Sequence, residues 1–354
     1  MESKPIVSII INNYNYDRFL AEAIDSALNQ TYADVEVVVV DDGSTDRSRE
    51  ILASYDRQII SICQANGGQA AAMNSGIAAS QGEIICLLDA DDLFAPDKVE
   101  RVVAFFTRNR LSDSATILHN LFAPIDRDGG DLSASASINI LAFPPRESQA
   151  MAKFIRGYNT DSFFERELNQ ICRPDRVYEF VRRYRYVPYL GMLTSSISMS
   201  RMMAERLFPL PVDGFKISAD ELIVKAAALI GEVYSTKLIL TKYRLHGHNN
   251  WHGKSMTRAQ EELLGVQRDK YLNAKLQTAS KLPVCCFLKS MQADGFYRLY
   301  FGASAGDRLI TLAFNIIWWH LDAITLSFFI ETLMRGIYYK FKSFVGNNLK
   351  DLSN

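Results

Sequence analysis

Cysteine is scarce in this chain of 354 residues. Cys63, Cys86, Cys172, Cys285 and Cys286 show no Cys-x-x-Cys spacing. An odd number without secretory context fits a reducing compartment, and thiols in apolar strand-like runs read as reduced core fillers. Charge bias is also missing: 39 Lys and Arg stand against 40 Asp and Glu. No global field therefore favours nucleic acid. No Gly-x-Gly-x-x-Gly follows Ile11, which argues against a dinucleotide-dependent dehydrogenase. A nucleotidyltransferase would want a glycine-rich, Arg/Lys-bearing loop at that point, and Asn12–Asp17 lacks one. There is no internal repeat and no low-complexity linker. Met1–Pro5 runs straight into a short strand and does not read as a signal peptide, so the cytoplasmic side is expected.

What is present is strongest at the N-terminal end. Ile6–Ile11 is an apolar run broken only by Ser8, and Val35–Val40 is nearly another. Such runs mark strands covered on both faces. Between them Leu20, Ala23, Ile24, Ala27 and Leu28 recur at helical spacing. Helices near Arg47–Tyr55 and Gln69–Ala79 alternate with strands near Gln58–Cys63 and Glu83–Leu88. The first hundred residues thus read as a parallel α/β layer. Further on, the pattern predicts a strand over Ala115–His119, a turn at Asp126–Gly130, a helix over Glu221–Ile230 and a strand over Val233–Leu240. The expected units are 1–110, 111–255 and a helical C-terminal region over 256–354.

The apolar run ending at Leu88 leads directly into Asp89-Ala90-Asp91-Asp92. Carboxylates are costly in an interior unless they pair or bind a metal. At the carboxyl end of a parallel strand, they suggest a place where a divalent cation and its phosphates are held. The competing reading is an acidic turn between strand and helix.

Four segments, in order, resemble family 2 glycosyltransferases of the GT-A fold. They are Pro5–Asn15, Glu36–Asp46, Asn66–Gln69 continuing through Asn74-Ser75-Gly76, and Asp89–Asp92. The resemblance covers about residues 5–250, densely up to 110 and thinly beyond. It implies a mixed sheet flanked by helices and a nucleoside-diphosphate-sugar donor, with a UDP-sugar placed first. It further implies Mg²⁺ or Mn²⁺ and transfer with inversion. On this resemblance Asn12, Tyr14 and Asn15 meet base and ribose, and Asp42 accepts a hydrogen bond from the base. Gly67, Gly68, Gln69 and Asn74 line the donor, and Asp89 bonds ribose or a metal-bound water. Asp91 is the metal ligand, and Asp92 supports the loop. Ser218–Leu222 resembles the base-bearing motif, which assigns Asp220 as general base, although Ala219 stands where the family usually has an acid. Tyr243-Arg244-Leu245-His246 resembles the closing motif, with Arg244 facing the diphosphate and His246 completing the metal sphere.

Several residues carry plainer readings. Asp46 reads as a helix N-cap, Asn15 as an ordinary turn residue, and Asp220 as a helix cap as well as a base. His248 and His252 belong to a loop, Gly247–Gly253, that would close over donor. Arg173, Arg176, Arg182, Arg183 and Arg185 interleave with Tyr178, Tyr184 and Tyr186. This cluster suits an anionic acceptor, such as a lipid-linked or charged glycan, or simply a solvated helix face. Leu309–Ile330 is apolar but broken by Asn315, His320 and Asp322. With Trp318, Trp319 and Tyr338–Lys342 it suggests peripheral contact with the inner face of a membrane, a packed helical cap, or homo-oligomer contact through 282–354. A polysaccharide pathway is the family's commonest setting. The non-enzyme alternative is a catalytically lapsed domain that binds sugar nucleotides or acts as a scaffold.

Overall fold

A computed structural model describes residues 4–132, 168–184, 187, 192–212, 219–247 and, within 267–275, residues 267, 268, 270–272, 274 and 275. The chain begins β1 (Val7–Asn13), α1 (Asp17–Leu28), β2 (Val35–Asp41), α2 (Ser48–Ser54), β3 (Ile60–Cys63) and α3 (Gln69–Ala79). Next come β4 (Ile84–Asp89), β5 (Leu93–Phe94), α4 (Lys98–Arg108) and β6 (Thr116–Ile125). After these the described elements are β7 (Leu168–Cys172), α5 (Pro174–Tyr184), β8 (Ile197–Ser200), α6 (Arg201–Leu207), α7 (Ala219–Ile230) and β9 (Glu232–Arg244).

One mixed sheet unites them in the order β3-β2-β1-β4-β8-β6-β9-β5, with β7 paired to β9. The first four strands are mutually parallel, as the sequence pattern predicts. β8 then enters antiparallel to both β4 and β6, while β6 and β9 run parallel. The expected boundary near 110 falls between α4 and β6, and the sheet runs across it without a break.

Both faces of the sheet are covered, which explains the unbroken apolar runs. Val7, Ile9, Ile11, Val37 and Val39 point into a core with α1, α2 and α4. Ile10, Val38, Val40, Ile85 and Leu87 point the other way, onto α3, α5, α6 and α7. At Gly76 a β-carbon would lie 2.4 Å from Ile10 Cγ2, so glycine is what lets α3 settle on the sheet.

Cys86 and Cys172 are buried, whereas Cys63 is exposed on the edge strand β3 and fills no core. Leu272 is buried in the α7-side core, the Tyr271 hydroxyl donates to Leu207 O, and Arg268 Nη1 donates to Glu221 Oε1 at 3.2 Å. The first part of the C-terminal region therefore packs on α6 and α7. Among the described residues no helix is long and apolar enough to cross a membrane. The readings placed on 276–354, Ser218, His248, His252, Arg185 and Tyr186, and on the side chains of Arg182, Arg183 and Tyr184, lie outside what is described.

Candidate active site

β1 and β4 pair so that Asn12 stands opposite Asp89, the last residue of β4. Asn12 Nδ2 donates to Asp89 Oδ1 at 2.7 Å, and Gln69 Nε2 donates to the same oxygen at 3.3 Å. Burial, and then the nearby Asp91 charge, push the Asp89 pKa up, while the Asn12 bond opposes them. The short strand β5 pairs with β9 and thereby lays the closing motif beside the acidic turn. The backbone N–H of Arg244 donates to Asp92 Oδ1 at 3.0 Å, and the Ser195 hydroxyl donates to Asp92 Oδ2 at 2.6 Å. Asp92 is thus buried and fastened on both oxygens, in the loop-supporting place expected for it.

Asp91 has a different neighbour. Its Oδ2 lies 3.0 Å from His246 Nε2. The imidazole is held by aromatic packing, with the Phe19 ring centroid 4.9 Å away and Tyr16 edge-on at 5.6 Å. Arg244 lies behind this pair with a side chain that is 0% exposed. It donates to Asp91 O at 2.9 Å and Arg127 O at 3.0 Å, pairs with Glu22 at 2.8 Å, and covers the Phe19 ring at 4.9 Å. The guanidinium is accordingly enclosed beneath the acidic turn rather than on its open side.

Asp220 stands in the first turn of α7, only 8% exposed. Burial raises its pKa to about 6, against the pull of the Glu221 and Asp220 backbone amides. Its neighbour Glu221 is held by Lys225 and Arg268. Gln69 spans the interval between this helix and the acidic turn. Its Oε1 accepts from the Ala219 N–H at 3.1 Å, while its Nε2 reaches Asp89 Oδ1 and, at 3.4 Å, Thr194 Oγ1. Asp89 and Asp220 are near enough for the charge of one to raise the pKa of the other.

The remaining predicted residues divide clearly. Tyr14 is 47% exposed at the end of β1. Asn15 adopts a positive φ of 58°, and its Oδ1 accepts from Thr45 N at 2.8 Å, a turn role to which asparagine is suited. Asp42 is 3% exposed; it accepts from Gly67 N at 2.9 Å, Gly68 N at 2.7 Å and Gln64 Nε2 at 2.7 Å. It therefore clasps the glycine loop, and Gly68, at φ 89° and ψ 171°, holds a conformation open only to glycine. Asn74 clasps the Leu210 backbone at 2.9 and 2.7 Å, on the α6 side and not at the acidic turn. Asp46 stands one residue before Arg47, the N-cap of α2, rather than at the cap itself; it accepts from Ser48 N at 3.0 Å and Asp17 N at 2.8 Å and so ties the starts of α2 and α1 together. Tyr16, Phe19, Glu22, Thr194 and Ser195 carry no signal in the sequence that marks them for the site. The first three follow one another along one side of α1 and its approach, but nothing in their spacing names a target.

Asp91 Oδ2 and His246 Nε2 lie 3.0 Å apart, a carboxylate and an imidazole that share a hydrogen bond and are both donor types a divalent cation accepts. Among the described residues no three His, Cys, Asp or Glu side chains converge as a cage. Mg²⁺ and Mn²⁺ suit such a sparse set because they keep positions for phosphate oxygens and water.

The mixed α/β sheet thus brings together at one edge an acidic turn, an imidazole and a buried carboxylate, each from one of the motifs read in the sequence. The model of "Glycosyl transferase family 2" matches residues 8–129. An uncharacterized glycosyltransferase of Nostoc sp. is 33% identical over 260 residues, covering 72% of this chain and 70% of that protein. The chain belongs to glycosyl transferase family 2. An uncharacterized glycosyltransferase of Rickettsia typhi is 40% identical over 128 residues, which span 36% of this chain and 40% of the relative. In fold, the chain is similar to S. aureus TarS 1-349, crystallised in complex with UDP. There the TM-score is 0.52 at 16% identity, covering 85% of this chain and 73% of that one.

Proposed function

We propose that the protein transfers a sugar from a nucleoside-diphosphate sugar, a UDP-sugar first, to a glycan or lipid-linked acceptor hydroxyl with inversion. The observation that carries this reading is convergence. Asp91 pairs with His246 at the sheet edge that carries Asp89, and Gln69 bridges Asp89 to the start of the helix that bears Asp220. A carboxylate whose pKa is about 6 is a stronger base than an ordinary aspartate and is still largely ionised at neutral pH. Asp220 takes the proton of the acceptor hydroxyl as its oxygen attacks the anomeric carbon. The bond from that carbon to the diphosphate breaks, and the nucleoside diphosphate leaves with the bonding pair. Asp91 and His246 would hold Mg²⁺ or Mn²⁺, which supplies charge neutralisation for the departing diphosphate. Tyr14 offers an open aromatic face to the base, and Asn12 braces Asp89.

Release of nucleoside diphosphate from a panel of sugar nucleotides, with Mn²⁺, Mg²⁺ or EDTA, tests this. Wild type should release it from one donor in a metal-dependent way, and Asp91→Asn should lose that release. Absence of binding to every donor in the panel, with or without metal, would sink the reading.

A further inference from the structure

Behind the acidic turn lies a charged side chain that the mechanism above does not use. Lys98, the first residue of α4, is 0% exposed. Its Nζ donates to Ser195 O at 2.6 Å and Thr241 Oγ1 at 3.1 Å, and it sits 3.7 Å above the Phe94 ring. All three partners are uncharged. Burial lowers its pKa to about 7, with Cys86 and Asp92 opposing.

A buried ammonium is expensive, and a stability role would require it to satisfy groups otherwise left bare. It does not. Ser195 O also accepts from Thr241 Oγ1 at 2.9 Å, and Thr241 Oγ1 also accepts from Asn120 Nδ2 at 3.0 Å. Both acceptors keep a partner without the lysine. What Lys98 adds is a tie between the Thr194–Ser196 turn and β9, reinforcing the one Thr241 makes. That turn carries the Ser195 hydroxyl, which accepts from the Asp89 N–H at 3.0 Å and donates to Asp92 at 2.6 Å. It also carries Thr194, which accepts from Gln69.

We propose that Lys98 is a positioning residue of the transfer site, clamping the Thr194–Ser196 turn so that Ser195 fixes the backbone of Asp89 and the carboxylate of Asp92. This rests on the transferase reading. It differs from an ordinary core contact because the clamp costs stability and its benefit falls on the geometry of the acidic turn.

The test compares full-length wild type, Lys98→Met, Ser195→Ala and the double variant. Three quantities are measured: thermal midpoint, backbone hydrogen exchange over residues 84–92 and 193–198, and metal-dependent donor turnover. Lys98→Met keeps the stem and removes the charge, so its midpoint should hold or rise. Exchange at the Asp89 amide should quicken at least about tenfold. The kcat should fall about a hundredfold, the scale of a misplacement near 1 Å. The double variant should be no slower than Ser195→Ala, because the lysine acts through that serine. Unchanged exchange, or unchanged kcat, overturns the proposal. So does a fall in midpoint matched by activity losses that simply add in the double variant. If wild type neither binds nor turns over any donor, the transferase reading fails, and the exchange comparison still decides whether Lys98 clamps the turn.

Discussion

Replacing Asp220 by asparagine should make the protein both more stable and nearly inactive. Asparagine is close in shape and carries no charge, so it removes the burden of holding a carboxylate in a buried site. That burden follows from the shift of the Asp220 pKa from 3.8 to about 6, caused first by burial. At about 1.36 kcal/mol per pH unit, the gap corresponds to at most about 3 kcal/mol. The sign is set by linkage. Well below pH 3.8 both folded and unfolded chains hold the proton on Asp220, and the two proteins should be equally stable. Between pH 3.8 and about 6 the unfolded chain sheds that proton while the folded chain keeps it, so wild type loses stability across this window and the full amount is gone once pH passes about 6. The variant's thermal midpoint should therefore lie within about 1 °C of wild type at pH 4 and exceed it at pH 8 by about 4–5 °C. Transfer should fall by about 10²- to 10⁴-fold, and the wild-type rise in kcat through about pH 6 should vanish. Scanning calorimetry at the two pH values and a pH–rate profile make the measurement. A variant that transfers sugar normally, or whose midpoint advantage is the same at pH 4 and pH 8, would refute the reasoning.

Three further outcomes follow from single contacts. Asp42→Asn leaves one acceptor oxygen for the Gly67, Gly68 and Gln64 donors and turns an amide toward one of them. It should lower the unfolding free energy read from urea denaturation by about 1–3 kcal/mol and weaken donor binding together; intact stability with weakened binding would mean the carboxylate serves the base alone. Gly76→Ala forces a methyl to within 2.4 Å of Ile10 Cγ2 and should cost about 1–3 kcal/mol, read by chemical denaturation. Arg244→Met removes the donors to Asp91 O and Arg127 O, at about 1–3 kcal/mol each, and frees the closing motif. A stability loss without any fall in metal-dependent activity would separate Arg244 from the site.

The α3 helix lies over Gln69–Ala79, where the alternation of strand and helix predicts it, and β1, β2 and β4 follow from runs that suit a doubly covered sheet, whereas β3 is an exposed edge strand. β9 extends past Leu240 through Tyr243 and Arg244, because its pairing with β5 and β6 continues there whatever the local hydropathy. β8 was not legible at all. Ile197-Ser198-Met199-Ser200 follows two serines and looks like a polar loop, yet it occupies the middle of the sheet, where Ser198 accepts from Cys86 at 3.4 Å and Ser200 donates to Ser114 O at 2.7 Å. Motif reading names Asn12, Gln69, Asp89, Asp91 and His246, which the structure links as Asn12–Asp89, Gln69–Asp89 and Asp91–His246, but it does not name these pairings. Asn15, Asp42 and Asn74 direct their side chains to backbone groups, and the register of distant loops that decides this leaves no local signature. Lys98 was equally hidden, since a lysine in the first turn of an amphipathic helix ordinarily faces water.

The acidic turn shows why its aspartates should differ in task despite their adjacency. Three carboxylates so close repel, and burial raises the pKa of Asp89 and Asp92 further. The named donors to those two are amides and a hydroxyl from Asn12, Gln69, Ser195 and the Arg244 backbone, all uncharged. Such donors fix geometry but cancel little charge. Arg244 is close by, yet its guanidinium addresses the Asp91 carbonyl and Glu22 rather than either carboxylate. On the proposed reading a divalent cation would supply the positive charge these donors do not, and Asp91, whose carboxylate contacts His246, would be the member that meets it. On this view Asp89 and Asp92 are immobilised so that one neighbour can be available, and the buried lysine beneath them serves the immobilising side of that division.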